Sequence, residues 1–314
     1  MALLPAWWLR LGGATAGGAT DAAGPSAFYG ANLWRIGLIA GRCLPSGLCY
    51  GLSRMLLAIY RSLAPGRKEV VIQNLLPALD GDRAAAERAA QKLFQNFSMK
   101  LVDLWRYESG QSVDPLFADL TGWEHFVAAQ ATGRGVLMIT PHLGNWEFGG
   151  PLLTRRGVKL HVITLAEPGR GLTELRLASR ARRGVETLVI GQDAFAFVEV
   201  IKRLQAGATV ALLVDRPPAA SAVTVELFGR PFLASIAAAE LARASGAAIV
   251  PVYLPRTGGG YAAHVLPEIS YDRAALGNRD ARRELTQIIM RAFEPALRQH
   301  PDQWYHFVPL WPEK

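Results

Sequence analysis

The segment Gly135 to Gly150, GVLMITPHLGNWEFGG, holds the residues of this chain best suited to acid–base chemistry. His142 and Glu147 stand five apart in it, and an imidazole with one nitrogen held by a carboxylate keeps the other free as a base. Along one helix, side chains at that spacing diverge by ~140°. Across a loop-to-helix corner they can meet, and the surrounding residues predict such a corner. Val136 to Ile139 is a short apolar run between Gly135 and Thr140-Pro141, the signature of a buried strand. Pro141 fixes its own φ and biases Thr140 toward the extended region. His142 is thereby delivered just beyond the strand's carboxyl end, where open α/β sheets place their ligands. Asn145 reads as an N-cap, which puts Glu147 in the first turn of a helix expected to run toward Arg156.

Spacing by itself is a weak signal, because with 6 His and 26 acidic residues among 314, chance supplies about half of one H-x4-E pair. Placement is the stronger one. Of the six histidines only His142 has an acidic residue five positions on, and only His142 lies between a buried-strand signal and a helix start.

The elements that must carry this corner follow an alternating pattern. After Trp123, strands are predicted at Val136 to Thr140, Leu160 to Leu165, Thr187 to Ile190, Thr209 to Val214 and Ile249 to Leu254. Helices are predicted near 145–156, 171–183, 193–205 and 235–245, with Tyr261 to Leu266 as an edge strand and Ala281 to Gln299 as a final amphipathic helix. Such alternation predicts an α/β fold whose mainly parallel central sheet is covered by helices on both faces. Upstream, Asp82 to Tyr107 has helical periodicity through Ala89, Leu93, Phe97, Leu101 and Leu104 and is expected to cover one side of the core.

The chain carries 34 Lys and Arg against 26 Asp and Glu, a formal charge of +8, and is 50% hydrophobic. Residues 1–68 contain seven basic residues (Arg10, Arg35, Arg42, Arg54, Arg61, Arg67 and Lys68) against Asp21, so most of the excess sits at one end. That end is also apolar and aromatic. The expected organisation is a disordered segment at 1–27, an amphipathic membrane anchor at 28–65 and a catalytic domain at 66–314. In the anchor, arginines would reach toward lipid phosphates while aromatics sit at the headgroup level. Arg42 and Pro45 argue against a clean membrane span there, and a helical hairpin buried in the main domain is the alternative. A nucleic-acid-binding protein would instead interleave its arginines with aromatics on a folded face, so no nucleic-acid partner is expected. Cys43 and Cys49 have no Cys/His cluster around them, which supports neither a disulfide framework nor a zinc site.

No G-x-S-x-G elbow, P-loop or post-strand G-x-G-x-x-G occurs, so the motifs of serine hydrolases and nucleotide-binding folds are missing. A His with a carboxylate partner and no protein nucleophile suits direct transfer, in which a hydroxyl gives its proton to the imidazole and attacks an activated acyl carbonyl. The donor chain would then lie in an apolar cleft lined by Phe148 and Leu152. Asp215, ending the strand ATVALLVD, either touches substrate or caps the next turn. Arg176, Arg180, Arg182 and Arg183 form a basic cluster able to bind an acidic group or to serve as a solvated helix face. Phe228-Gly229-Arg230-Pro231, ahead of Ser235, reads as a loop-to-helix transition whose backbone N–H groups, with Gly229 and Arg230 the candidate binding residues, would receive an anion. A metal hydrolase built on His142, His161 and Asp215 is a rival that lacks close ligand spacing.

Together, PHLGNWE, the strand end at Asp215, the block ELFGRPFLASIAAAELARASGAAIVPVY, the tail HPDQWYHFVPLW and the NLLPAL segment resemble the lysophospholipid acyltransferase superfamily, and within it the lipid A lauroyl/myristoyl acyltransferase branch. The resemblance spans about residues 28–312. It implies an O-acyltransferase at the cytoplasmic face of the inner membrane that needs no metal or organic cofactor. Acyl carrier protein would be the donor and a membrane glycolipid such as a lipid A precursor the acceptor, on an anionic membrane surface, with another polar lipid (a phosphatidylinositol mannoside, lysophospholipid or aminolipid) as the alternative acceptor. It also implies His142 as base and Glu147 as its carboxylate, with Arg180 or Arg183 at the oxyanion or substrate. Two features depart from the branch: the N-terminal segment has no clear single transmembrane helix, and the tail reads HFVPLW where many members carry a basic run.

Overall fold

The computed structural model describes residues 30–165, 170–190 and 195–312. The segment 1–27, expected to be disordered, lies outside the described residues. In chain order the helices and strands are α1 (Ala31–Cys43), α2 (Ser46–Leu63), α3 (Pro65–Leu75), α4 (Arg83–Glu108), β1 (Phe117–Thr121), α5 (Trp123–Ala131), β2 (Val136–Thr140), α6 (Gly149–Thr154), β3 (Leu160–Leu165), α7 (Arg170–Ala181), β4 (Val185–Ile190), α8 (Phe195–Gln205), β5 (Thr209–Leu213), β6 (Ala222–Leu227), β7 (Arg230–Ser235), α9 (Ala237–Ser245), β8 (Ala248–Tyr253), β9 (Arg256–Thr257), β10 (Gly260–Val265) and α10 (Arg279–Gln299).

The central sheet runs β1-β10-β8-β2-β5-β3-β4, with β9 added to β10. Within it β2 is parallel to both β5 and β8, β3 is parallel to β4 and β5, and β1 is parallel to β10. Only β10 runs against its neighbours β8 and β9. The expected α/β architecture with a mainly parallel sheet is therefore present. Alternate residues of β2 show that both faces are covered. Leu137 and Ile139 join one apolar cluster with α4, α8, α9 and α10, while Val136 and Met138 join another with Phe126 and Ala129 of α5. All five residues of β2 are buried, as a strand packed on both faces requires.

Two details differ from expectation. The Tyr261 strand, β10, is not an edge, because β1 pairs along its outer side. Its neighbour β1 escaped notice because FADLT lacks a continuous apolar run and is largely exposed. Phe228 and Gly229, expected to lead into a helix, instead form the two-residue turn of the β6–β7 hairpin. Both have positive φ, +53° and +70°, as the turn that matches the twist of two antiparallel strands demands.

The N-terminal helices pack on the body of the protein. Helix α1 crosses α4 closely: a Cβ at Gly37 would lie 2.2 Å from the Trp105 ring, and one at Gly41 would press on the backbone of Arg106. Trp34 on the same face donates to Glu108 Oε2 at 2.7 Å. Helix α2 is pinned through Tyr50, whose hydroxyl donates to Asp103, a carboxylate that also accepts from Tyr261 at 2.7 Å. The opposite face carries Leu33, Ile36, Ile39, Leu48, Leu52, Met55, Leu56 and Ile59, eight of the twelve large apolar side chains exposed among the described residues. No helix among the described residues is long and apolar enough to cross a membrane.

Candidate active site

Strands β2 and β5 are neighbours in register, with Thr140 opposite Leu213. Two residues further on, both chains present a polar side chain at the same level of the sheet: His142 from one and Asp215 from the other. They meet. The His142 backbone N–H donates to Asp215 Oδ2 at 2.9 Å, and His142 Nδ1 lies 2.7 Å from Asp215 Oδ1.

Asp215 is fully buried, and its carboxylate collects two more donors, Trp304 Nε1 at 2.8 Å and His306 Nε2 at 2.9 Å, both on Oδ2. Burial works to raise its pKa, but the adjoining imidazoles and their hydrogen bonds outweigh it and hold the carboxyl well below its usual range. An ionised carboxylate can only accept, which fixes the protons: His142 carries one on Nδ1 and His306 one on Nε2. Nε2 of His142 is then left with its lone pair, the state a general base needs. Burial pushes the pKa of His306 down, with Asp215 opposing, and among the described residues its Nδ1 has no hydrogen-bond partner. Trp304 and His306 belong to the C-terminal tail, which runs beside the loop after β2. Gly144 N donates to Gln303 O at 3.0 Å and Tyr305 N to His142 O at 2.9 Å. Gly144 itself, at φ +62°, sits so close to Leu254 that a Cβ there would lie 1.9 Å from its carbonyl oxygen. That approach lets Asn145 N donate to Leu254 O at 2.8 Å and anchors the loop on the far side.

The carboxylate expected to hold His142 was Glu147, and the structure corrects this. The predicted helix from 145 is a 3-10 turn at Trp146–Phe148 followed by the short α6, so Glu147 is carried toward α7. There it accepts from Arg176 Nη2 and from Arg180, at 2.7 Å from Nη2 and 3.2 Å from Nε. Burial raises its pKa, but the two guanidiniums prevail and keep the group ionised below its normal range. Arg176 also bonds Glu108, the acceptor of Trp34, so α1, α4, α7 and the turn after β2 are tied through one charged network. Asn145 makes no side-chain cap, and its buried amide has no hydrogen-bond partner among the described residues.

His142, Glu147, Arg180 and Arg183 all line one cavity of about 890 Å³ whose wall is otherwise mostly apolar. Arg183 is held at its edge, donating to Tyr107 O and lying over the Tyr107 ring with its guanidinium carbon 4.7 Å from the centroid. Leu152 lines the cavity as expected; Phe148 does not, and instead packs against Tyr107, Phe117 and Tyr261. Gly229 and Arg230, in the β6–β7 hairpin, are not among the lining residues, so the hairpin turn replaces the anion site expected there. His161 is also elsewhere, paired with Arg203 and Glu186, so the set His142, His161 and Asp215 is not assembled. The histidine that does join His142 and Asp215 is His306, with candidate ligand atoms of the three all within 4.8 Å of one another. The nitrogens facing Asp215 are the ones that carry the hydrogen-bonding protons, which makes this an imidazole–carboxylate–imidazole chain. Sequence reasoning missed Trp304 and His306, since neither periodicity nor a local motif links the tail to residues 142–215. Its one available signal was a Trp-x-His pair within an aromatic tail that follows a helix.

The sequence profile described as bacterial lipid A biosynthesis acyltransferase matches residues 26–313. Curated relatives include the phosphatidylinositol mannoside acyltransferase of Mycobacterium tuberculosis (strain CDC 1551 / Oshkosh), 28% identical over 194 residues. That match covers 60% of this chain and 58% of the relative. The protein of the same name from Mycolicibacterium smegmatis is 26% identical over 194 residues, 62% of each chain. The aligned part thus spans somewhat under two thirds of these relatives' length. With the profile running through the strand-end histidine, the Asp215 strand and the aromatic tail alike, the chain belongs to the bacterial lipid A biosynthesis acyltransferase family.

Proposed function

We propose that the protein transfers a fatty acyl chain from a thioester donor to a hydroxyl of a membrane glycolipid, with His142 as general base and Asp215 as the group that orients it. The observation that carries this reading is the placement of an oriented imidazole on an apolar cavity large enough for an alkyl chain. His142 Nε2 takes the proton of the acceptor hydroxyl, the oxygen adds to the acyl carbonyl, and the imidazolium returns the proton to the departing thiolate. Burial of the chain in the cavity contributes about 0.8 kcal/mol per CH₂. Acyl carrier protein is the proposed donor carrier. The acceptor is a sugar hydroxyl on a polar lipid, a class that includes both a lipid A precursor and the phosphatidylinositol mannosides named for the relatives. The test is to incubate purified protein with acyl-carrier-protein and coenzyme A thioesters and each glycolipid, and to read acyl esters by mass spectrometry. Ester on a glycolipid supports the reading, and thioester hydrolysis alone under all conditions contradicts it.

The proposed site of action is the cytoplasmic face of the inner membrane, and the apolar face of α1 and α2 supports the membrane contact in this reading. Leu33, Leu56 and Ile59 both belong to that face and line the cavity, so its mouth opens where a lipid surface would lie. Exposed Arg35, Arg42 and Arg54 on the same helices suit anionic headgroups. Converting Ile36, Ile39 and Met55 to Glu together is expected to weaken co-sedimentation with anionic phospholipid vesicles on the order of tenfold or more, since three exposed apolar contacts are lost. Unchanged sedimentation would remove this face as the membrane contact. Release of the intact protein by high salt would assign the attachment chiefly to the arginines.

Leu152 sets a second expectation. It lies on α6 in the wall of the cavity, so Leu152→Trp is expected to shift donor preference toward chains a few carbons shorter when donors of graded length compete. An unchanged profile would place the end of the chain elsewhere.

A further inference from the structure

Helix α4 contributes two charged-type side chains to the cavity that the mechanism above does not use, Glu108, which is taken by Trp34 and Arg176, and Lys100. Lys100 is 3% exposed and lines the cavity together with His142, Trp146 and Glu147. Its Nζ lies over the Trp146 ring, 2.7 Å from the centroid, and 5.1 Å from that of Tyr305. Trp146 in turn meets the His142 ring edge to face, with centroids 4.9 Å apart. One indole therefore touches both the amine and the base. Among the described residues no hydrogen-bond acceptor engages Lys100 Nζ, although it has N–H groups to give. The two neighbouring guanidiniums are differently placed, because Arg176 is held by Glu108 and Glu147 and Arg180 by Glu147.

A buried amine that meets aromatic faces and no hydrogen-bond acceptor is incompletely satisfied, and an acceptor arriving with the substrate completes it. Acyl transfer generates such an acceptor. We propose that Lys100 is a catalytic residue whose amine donates a hydrogen bond to the oxyanion formed as the acceptor oxygen adds to the acyl carbonyl. The inference rests on the acyl-transfer reading. In the step, the hydroxyl proton passes to His142 Nε2, the new C–O bond forms, and the carbonyl π pair moves onto its oxygen, where Lys100 N–H meets it. The oxygen pair then returns, the C–S bond breaks, and the thiolate takes the proton from the imidazolium. Charge on that oxygen exists only in and around the transition state, so the hydrogen bond strengthens there and accelerates the reaction without tightening ground-state binding. Burial holds the Lys100 pKa well below the ordinary lysine range, with Glu147 opposing and Arg176 reinforcing the shift. Glu147 is taken up by Arg176 and Arg180 and is not hydrogen-bonded to Lys100.

The test compares wild type, Lys100→Met, Lys100→Ala and His142→Ala in one acyl-transfer assay. Lys100→Met keeps the length of the side chain in an apolar site and is expected to fold with an unchanged or raised Tm. Its kcat should fall about 10²- to 10³-fold with KM for donor and acceptor nearly constant, the size expected for loss of one oxyanion donor. Added propylamine, the fragment missing in Lys100→Ala, should restore part of that variant's rate in a saturable manner. A folded Lys100→Met within threefold of wild type, or a folded Lys100→Ala indifferent to propylamine, overturns the assignment while His142→Ala stays inactive. Thioester hydrolysis without acyl transfer by the wild type under all conditions would instead defeat the acyl-transfer reading itself.

Discussion

His142→Ala is expected to lower the acyl-transfer kcat by about 10³- to 10⁴-fold, at the upper end of what a general base supplies. Neither of the carboxylates beside it can take over the proton. Glu147 is committed to Arg176 and Arg180, and Asp215 lies behind the imidazole, fully buried. The KM for the acyl donor should hardly move, because the chain is bound by the apolar wall and not by the imidazole. Folding should be measured alongside, since Asp215 Oδ1 loses its ring N–H and keeps only the donors on Oδ2, at a cost of about 1–3 kcal/mol. Steady-state rates with a glycolipid acceptor, read at matched folded fraction, check this. A folded His142→Ala protein with near-normal turnover would remove His142 from the chemistry.

The second large effect is expected at Asp215. An Asn there keeps one oxygen and replaces the other by an NH₂ group, and the surroundings decide which way it turns. Three N–H groups point at the Oδ2 position, from the His142 backbone, Trp304 and His306. The amide oxygen must take that side. Its NH₂ then faces His142 Nδ1, which can accept only if the imidazole proton moves to Nε2, and the base is gone. Asp215→Asn is therefore expected to cost about 10²- to 10⁴-fold in kcat with modest loss of stability, the behaviour of an enforced wrong tautomer. Glu147→Gln should act through the fold instead. It leaves Arg176 and Arg180 buried without their shared carboxylate, and losing one partner of a buried ion pair costs about 3–5 kcal/mol. Denaturant unfolding and kcat measured on both variants separate the two: the aspartate variant should lose rate first and the glutamate variant stability first.

The contrast between these carboxylates shows where the sequence was informative. That His142 stands at a strand's carboxyl end followed from Gly135, the apolar run and Pro141, all local signals. Asp215 was visible by the same logic, as a polar residue closing ATVALLVD. Their meeting was not visible, because it depends on β5 lying next to β2 ahead of β3 and β4, an order set by packing of the whole sheet. Proximity in sequence favoured Glu147, and the 3-10 turn at Trp146–Phe148 turned it away. Trp304 and His306 arrive from the far end of the chain through backbone bonds to residues 142–144, which no periodicity announces. At Phe228-Gly229 the signal was present and misread: alternating AVTVEL and RPFLAS around a two-residue turn describe a hairpin. The apolar face of α1 and α2 was legible as grease with arginines, while its close seat on α4 rested on Gly37 and Gly41, two small residues four apart.

The central claim is that Asp215, and not Glu147, acts on the substrate through His142. The most direct measurement is a double-mutant cycle on kcat with His142→Ala, Asp215→Asn and Glu147→Gln. Groups that act as a unit are strongly non-additive, so Asp215→Asn placed on His142→Ala is expected to cost little further rate, within about threefold. Glu147→Gln on the same background should keep the effect it has alone. Independent, multiplicative losses for His142 and Asp215, with His142 coupled to Glu147 instead, would contradict the account.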